Sequence, residues 1–223
     1  LLAVSLVGEM LNRYARAAVT RILTPVARLL IRLGVSPDVV TIIGTLGVCL
    51  GALVFFPRGE LLIGVLVITA FVFSDTIDGV MARMLDREGS WGAFLDSTLD
   101  RMGDAAIFAG LAVWYFQGGD DSLMAWLALA CLVLGSLVSY ARARAEGLGM
   151  RADVGIAERA DRLVATLVTA GFVGMGVLPE VALKVVLGLL AVASVVTVVQ
   201  RILVVRQQVR AAAVTSGSNA STP

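Results

Sequence analysis

Six long apolar segments dominate this chain and constrain its fold more than any other feature. They lie near residues 38–57, 61–85, 91–117, 122–147, 158–178 and 180–206. Each approaches or exceeds the ~20 residues that an α-helix needs to cross the hydrocarbon core of a bilayer. Since 58% of the residues are hydrophobic, well above the share usual in soluble domains, the sequence predicts an all-α integral membrane protein with six transmembrane helices.

The regions that flank these segments differ from them in composition. Residues 1–9 precede Met10, which resembles a natural start, and we interpret these nine residues as an artificial extension. Residues 10–34 mix five arginines with aliphatic side chains, which predicts an amphipathic helix on the membrane surface. The six-helix domain is then expected over 35–210. The small and polar residues 211–223 predict a disordered tail.

Basic residues alternate between the links that join the apolar segments. The link 142–162 carries five arginines, whereas "QGGDDS" and "GVLPE" carry none. Arginine and lysine accumulate on the cytoplasmic side of membrane proteins. The pattern therefore predicts that both termini are cytoplasmic, in a multi-pass protein of the inner (plasma) membrane. The net charge of +1 gives no indication of a nucleic-acid partner.

Four aspartates interrupt the second and third apolar segments. They are Asp75, Asp78, Asp96 and Asp100. The two pairs are symmetric about a turn near Arg87 and Glu88, so an antiparallel hairpin would bring them to matching depth, roughly 8–15 Å from its cytoplasmic end. Within each helix the spacing of three or four residues places both acids on one face. Four carboxylates can therefore converge on one small volume, on the cytoplasmic side.

Such a cluster needs compensation, because one ionised carboxylate in mid-membrane costs roughly 2.5–3.5 kcal/mol and four would repel one another. One or two divalent cations are the simplest solution. Oxygen ligands in a chain without histidine favour Mg²⁺ or Mn²⁺, and Mg²⁺ suggests a phosphate-bearing substrate. The alternatives are structural pairing with arginines and a cation or proton transporter. The uncharged outer halves of both segments favour a one-sided enzyme pocket over a transport pathway.

Written out, the acidic run is D-x-x-D-G-x-x-A-R-x8-G-x3-D-x3-D. It resembles the signature of the CDP-alcohol phosphotransferase family at every position, which here are Asp75, Asp78, Gly79, Ala82, Arg83, Gly92, Asp96 and Asp100. The resemblance implies a six-helix membrane enzyme with a two-metal site. It also implies a homodimer that transfers the phosphatidyl group of CDP-diacylglycerol to an alcohol and releases CMP.

The resemblance also implies roles for seven of these eight positions. The metal site would consist of Asp75, Asp78, Asp96 and Asp100. In the family the last of these is the proposed catalytic base, which corresponds to Asp100. The CDP-lipid would be held by Asp75, Asp78, Gly79, Ala82 and Arg83.

A second cluster bears on the acceptor. Arginines at the expected cytoplasmic ends of segments four, five and six include Arg142, Arg144, Arg162 and Arg201. The positive-inside bias alone could place them there, but their convergence suggests an anionic acceptor. The chain resembles the family members that use inositol 1-phosphate, whose phosphate pocket falls on these four positions, although some relatives have lysine at position 142. Family members that use glycerol 3-phosphate are the nearest alternative.

Overall fold

The protein is described by a computed structural model that covers residues 22–86 and 89–219, without the side chains of 75 and 212–219. All regular structure in these residues is helical. Helix α1 covers 22–32, and a short 3₁₀ turn, Phe56–Arg58, follows α2. The other helices are α2 (Pro37–Phe55), α3 (Leu61–Val72), α4 (Ser74–Met84), α5 (Ser90–Gln117), α6 (Ser122–Glu146), α7 (Arg159–Gly174) and α8 (Glu180–Asn219).

Four stretches of the described chain are long and apolar enough to cross a membrane, namely Pro37–Arg58, Leu61–Met84, Ser122–Glu146 and Glu180–Ala211. Helix α5 has 28 residues but carries several charged ones. Helix α7 has only 16 residues, or ~24 Å at 1.5 Å per residue. The all-helical membrane class is therefore confirmed for the described residues, whereas the count of six spans stays a prediction.

The ends of the chain bear on two further expectations. Residues 10–21 of the predicted surface helix lie outside the described residues. In the rest of it, Ala27 is buried in a cluster with Val40, Val80 and Met81, so α1 packs against α2 and α4. At the other end, α8 runs to Asn219 and includes the first nine residues of the segment expected to be a tail.

The structure divides into two compact units. Unit 1 lies within Leu1–Gly51 and Leu66–Gly103, and unit 2 lies within Ala52–Val65 and Asp104–Pro223. The four motif aspartates belong to unit 1 and the four arginines to unit 2.

Close helix packing in unit 1 depends on glycine. A Cβ atom at Gly44 would collide with the Ser74 side chain, and one at Gly47 would collide with the Phe71 ring. Small residues spaced in this way let two membrane helices approach closely. The apolar segment predicted over 61–85 is divided at Phe73 into α3 and α4. There, the Ser74 hydroxyl donates to the Phe71 carbonyl at 2.5 Å. Helix α4, which carries the first aspartate pair, thus begins immediately before it.

In unit 2, α6 and α7 pack against α8. Asp121 caps α6 by accepting a hydrogen bond from the Met124 amide at 3.1 Å. It also forms an ion pair with Lys184 of α8. The hydrogen bond from Lys184 lowers the pKa of the Asp121 carboxyl. The turn before α6 is therefore tied to the beginning of α8.

Candidate active site

Asp78 is the most enclosed of the motif aspartates whose side chains the structure describes. It lies in α4 and is 8% exposed. The Thr41 hydroxyl of α2 donates to its Oδ2 atom at 2.5 Å. Burial without a partner would be costly for a carboxylate, and Thr41 supplies one. Asp75 lies in the first turn of α4, but its side chain is outside the described part.

Asp78 lines a cavity of about 520 Å³ in unit 1. This volume is within the range of small-molecule binding sites, roughly 300–1,000 Å³. Three helices contribute to the wall, because residues from the start of α2, from α4 and from the start of α5 all line it. The lining residues are Ser36, Pro37, Asp38, Thr41, Asp78, Gly79, Ala82, Gly89, Trp91, Gly92, Ala93 and Asp96.

Asp96 and Asp100 lie on α5 in different surroundings. Asp96 lines the cavity and is exposed. The Asp100 side chain is 17% exposed, and its Oδ2 atom is 3.9 Å from Nη1 of Arg101. Both carboxylates act electrostatically on Asp78. The structure therefore places Asp78 within electrostatic range of two other acids of the motif.

The donor set of this cavity suits a hard divalent cation. Three carboxylates, those of Asp38, Asp78 and Asp96, line the same space, and oxygen is the ligand that Mg²⁺ and Mn²⁺ prefer. Among the described side chains, no three acids, thiols or imidazoles are grouped closely enough to hold a metal by themselves. The side chain of Asp75, which the motif would add to the set, lies outside the described part.

The small residues of the motif open the cavity wall. A Cβ atom at Gly92 would have open space around it among the described residues. A Cβ atom at Gly79 would lie 3.8 Å from Nη1 of Arg83, so this guanidinium is beside the glycine. Arg83 itself is exposed and is not part of the cavity wall. An anionic ligand at Gly79 would therefore have a positive charge nearby.

Seven of the twelve lining residues were missed by the sequence analysis, among them Asp38, Thr41 and Trp91. Thr41 and Asp38 lie in the first turns of α2, and Trp91 lies at the start of α5. The Trp91 indole Nε1 donates to Oδ2 of Asp38 at 3.0 Å. The only signal in the sequence was a polar pair three residues apart at the start of an apolar segment, which is typical of an ordinary helix beginning.

In unit 2, Arg162 is almost completely enclosed. It is 1% exposed and donates to the carbonyls of Ala157 at 3.0 Å and Gly135 at 3.5 Å. Its Nη2 atom is 3.9 Å from Oδ2 of Asp104. Nε has no hydrogen-bond partner within the described part of the chain. The guanidinium thus retains one buried N–H donor without a partner among the described residues.

Arg201 is 3% exposed and links α8 to two other segments of unit 2 by hydrogen bonds. Its Nε donates to the carbonyl of Val154 at 2.9 Å, and its Nη1 donates to the carbonyl of Val138 at 2.5 Å. The sequence predicted a charge near the end of the segment 180–206, but α8 continues to Asn219 and Arg201 is buried within it. At least two of its donors therefore have a structural use.

Arg142 and Arg144 differ from these two buried arginines because both are exposed. Arg142 forms ion pairs with Glu146 at 3.0 Å and with Asp153 at 3.3 Å. Surface pairs of this kind contribute little to stability. Both side chains remain accessible to an anionic ligand.

Comparison with known proteins identifies the class to which this fold and site belong. The chain matches the CDP-alcohol phosphatidyltransferase family over residues 34–155, which includes every motif position. The protein belongs to this family of enzymes of phospholipid biosynthesis.

The similarity extends beyond that region. The chain is 53% identical to a phosphatidylinositol phosphate synthase of Streptomyces avermitilis, over 95% of this chain and 89% of that protein. Crystal structures of the Mycobacterium tuberculosis phosphatidylinositol phosphate synthase are also similar. The structure with CDP-DAG bound has a TM-score of 0.80 and 46% identity, and covers 83% of this chain and 94% of that one. The structure in complex with manganese and citrate has a TM-score of 0.77 and 44% identity, with coverages of 82% and 88%.

Proposed function

We propose that this protein transfers the phosphatidyl group of CDP-diacylglycerol to inositol 1-phosphate, which gives phosphatidylinositol phosphate and CMP. The observation that carries the proposal is the cavity of unit 1, where Asp78, Gly79, Ala82 and Asp96 meet. The similarity to phosphatidylinositol phosphate synthases over nearly the whole chain supports the choice of acceptor. A citrate and manganese complex of such a relative fits an anionic acceptor and a divalent metal.

The aspartates would hold the metal. Asp78 and Asp96 line the cavity, and Asp75 and Asp100 complete the set by their positions in the motif. One or two Mg²⁺ or Mn²⁺ ions fit these oxygen donors. When bound, such ions neutralise the diphosphate and stabilise the charge of the departing CMP.

The donor is assigned to the same cavity. Gly79 and Ala82 leave room for the CDP group, and Arg83, beside Gly79, adds a positive charge for the diphosphate. The acyl chains would stay in the membrane. The acceptor's hydroxyl oxygen attacks the phosphorus that bears the diacylglycerol, and the bond from that phosphorus to the bridging oxygen breaks. Asp100 takes the hydroxyl proton, as expected for a general base in a chain without histidine.

The acceptor phosphate is assigned to the arginines Arg142, Arg144, Arg162 and Arg201. The unpartnered Nε of Arg162 and the exposure of Arg144 support this assignment, because a phosphate needs several N–H donors. Arg162 and Arg201 would then serve two purposes, since both already donate to backbone carbonyls.

We further propose six membrane spans, with α5 and α7 completing the four apolar ones, in a homodimer of the inner membrane. Both termini and the active site would be cytoplasmic. The alternation of basic links along the sequence supports this orientation.

Release of CMP from CDP-diacylglycerol by the purified protein tests the proposed function. Inositol 1-phosphate, inositol and glycerol 3-phosphate are supplied side by side with Mg²⁺. We expect inositol 1-phosphate to be used most efficiently. Efficient use of unphosphorylated inositol would remove the case for a phosphate pocket, and a preference for glycerol 3-phosphate would change the acceptor.

A further inference from the structure

The hydrogen bond between Thr41 and Asp78 joins two helices at the cavity wall. It spans 37 residues of sequence and measures 2.5 Å, at the short end of the range for a hydroxyl that donates to an ionised carboxylate. Thr41 is 7% exposed and Asp78 is 8% exposed. Water therefore has little access to replace this bond.

Thr41 has a second acceptor within reach, which is the Pro37 carbonyl at 3.1 Å. A threonine in a helix ordinarily donates to the carbonyl four residues earlier. Its hydroxyl carries only one proton, and the shorter contact is the one to Oδ2 of Asp78. Thr41 thus directs its proton out of its own helix towards an acid of α4.

This bond fixes an aspartate that has another carboxylate nearby. Asp96 lines the same cavity as Asp78, and repulsion between like charges disfavours orientations of Asp78 that bring the two carboxylates together. The Thr41 hydroxyl donates to Oδ2, and the Gly79 backbone also donates to this carboxylate. The Asp78 carboxylate therefore keeps one orientation before any cation arrives.

We propose that Thr41 is a positioning residue that holds the Asp78 carboxylate ready for a divalent cation. The metal-binding role of Asp78 itself belongs to the proposed function. Side chains that orient metal ligands typically alter metal affinity about 10–100-fold when they are replaced. The same range is expected here.

Binding of Mn²⁺ alone to the full-length protein in detergent tests this role without any turnover. Free Mn²⁺ is followed by electron paramagnetic resonance during titration. Thr41→Val keeps the size of the side chain but removes the hydroxyl, and we expect Mn²⁺ affinity to fall about 10–100-fold. Thr41→Ser restores the hydroxyl, and we expect it to bind Mn²⁺ with nearly the affinity of the parent. Thr41→Ala serves the same comparison if valine prevents folding.

Thr45→Val is the matched control, because Thr45 is one turn further along α2 and is 8% exposed. It should bind Mn²⁺ as the parent does. Parent-like Mn²⁺ binding by the Thr41→Val or Thr41→Ala variant would overturn the proposal, and so would equal losses in the serine and valine variants. A parent protein that binds no Mn²⁺ would instead contradict the metal site of the proposed function, and Thr41 would lose this role with it. Transfer activity that fails while Thr41→Val still weakens Mn²⁺ binding would contradict the proposed reaction alone.

Discussion

Asp78 and Asp100 belong to one motif, but the structure surrounds them differently. Asp78 lines the cavity and is fixed by Thr41. Asp100 is near Arg101 and is not part of the cavity wall. A fixed carboxylate on the wall suits a metal ligand, whereas the base role proposed for Asp100 follows from its position in the motif. The two acids should therefore respond differently to the same substitution.

We predict that Asp78→Asn weakens metal and donor binding together, because it removes a charged ligand. Asp100→Asn keeps the shape of the side chain, so donor binding should largely survive while turnover falls at least ~100-fold, the lower range for general base catalysis. Metal-dependent binding of CDP-diacylglycerol and turnover are measured in both variants. Turnover within ~10-fold of the parent in Asp100→Asn would exclude it as the base.

The buried arginines give the second prediction at this scale. Arg162→Ala or Arg201→Ala should lower the efficiency with the acceptor some tens-fold, because one charge-assisted contact is worth about 2–3 kcal/mol. Each variant should also be less stable, since removing an arginine leaves buried carbonyls without donors at about 1–3 kcal/mol each. Kinetics with varied acceptor and thermal unfolding separate the two effects.

Arg206→Ala is the control for these variants, because Arg206 is an exposed arginine on the same helix as Arg201. It should change neither measurement appreciably. An equal loss of CDP-diacylglycerol binding in Arg162→Ala would assign this arginine to the other substrate.

At the scale of the elements, the apolar pattern predicted the helices better than their interruptions. The division at Phe73 lies inside a continuous apolar stretch, where the local bond from Ser74 to Phe71 leaves no mark in the hydropathy. Similarly, the segment predicted over 158–178 is only Arg159–Gly174 as a helix, because glycines and proline follow it. The first difference arises from local hydrogen bonding and the second from helix-ending residues, so hydrophobic periodicity alone could reveal neither.

Gly110 tests how closely helices approach in unit 2. A Cβ atom there would lie 2.5 Å from the Ala52 carbonyl oxygen, and backbone cannot move away as a flexible side chain can. Gly110→Ala should destabilise the protein by about 1–3 kcal/mol, as overpacking usually does. Gly188→Ala is the matched control, since no described atom lies within 4 Å of its Cβ position. Equal thermal unfolding of the two variants would contradict this packing.

At the scale of the whole molecule, the sequence predicted which motif aspartates come together better than it predicted the residues that hold them in place. Spacing alone put Asp78 and Asp96 at matching positions of a hairpin, and the structure places both around one cavity; their roles stay predictions. Thr41 could not be found in the same way, because its bond to Asp78 depends on how α2 packs against α4. The burial of Arg162 and Arg201 could not be predicted either, since the sequence indicates where a charge lies along a helix but not which residues cover it.

Orientation in the membrane is a prediction about the whole chain. Asp120, in a link without arginine, should face the outside, and Arg151 should face the cytoplasm. Single cysteines at these positions, in a background where Cys49 and Cys131 are replaced, should react with impermeant reagents from opposite sides. Labelling from the same side would rule out the six-span scheme.

The most direct test of the central claim is to follow the acceptor's own phosphate into lipid. The purified protein is reconstituted with CDP-diacylglycerol, Mg²⁺ and inositol 1-phosphate that carries a ³²P label. Direct displacement predicts that label enters the lipid fraction, that one CMP appears for each labelled lipid, and that a chelator stops both. CMP release without labelled lipid, or labelling that persists after the metal is removed, would contradict the proposed transfer.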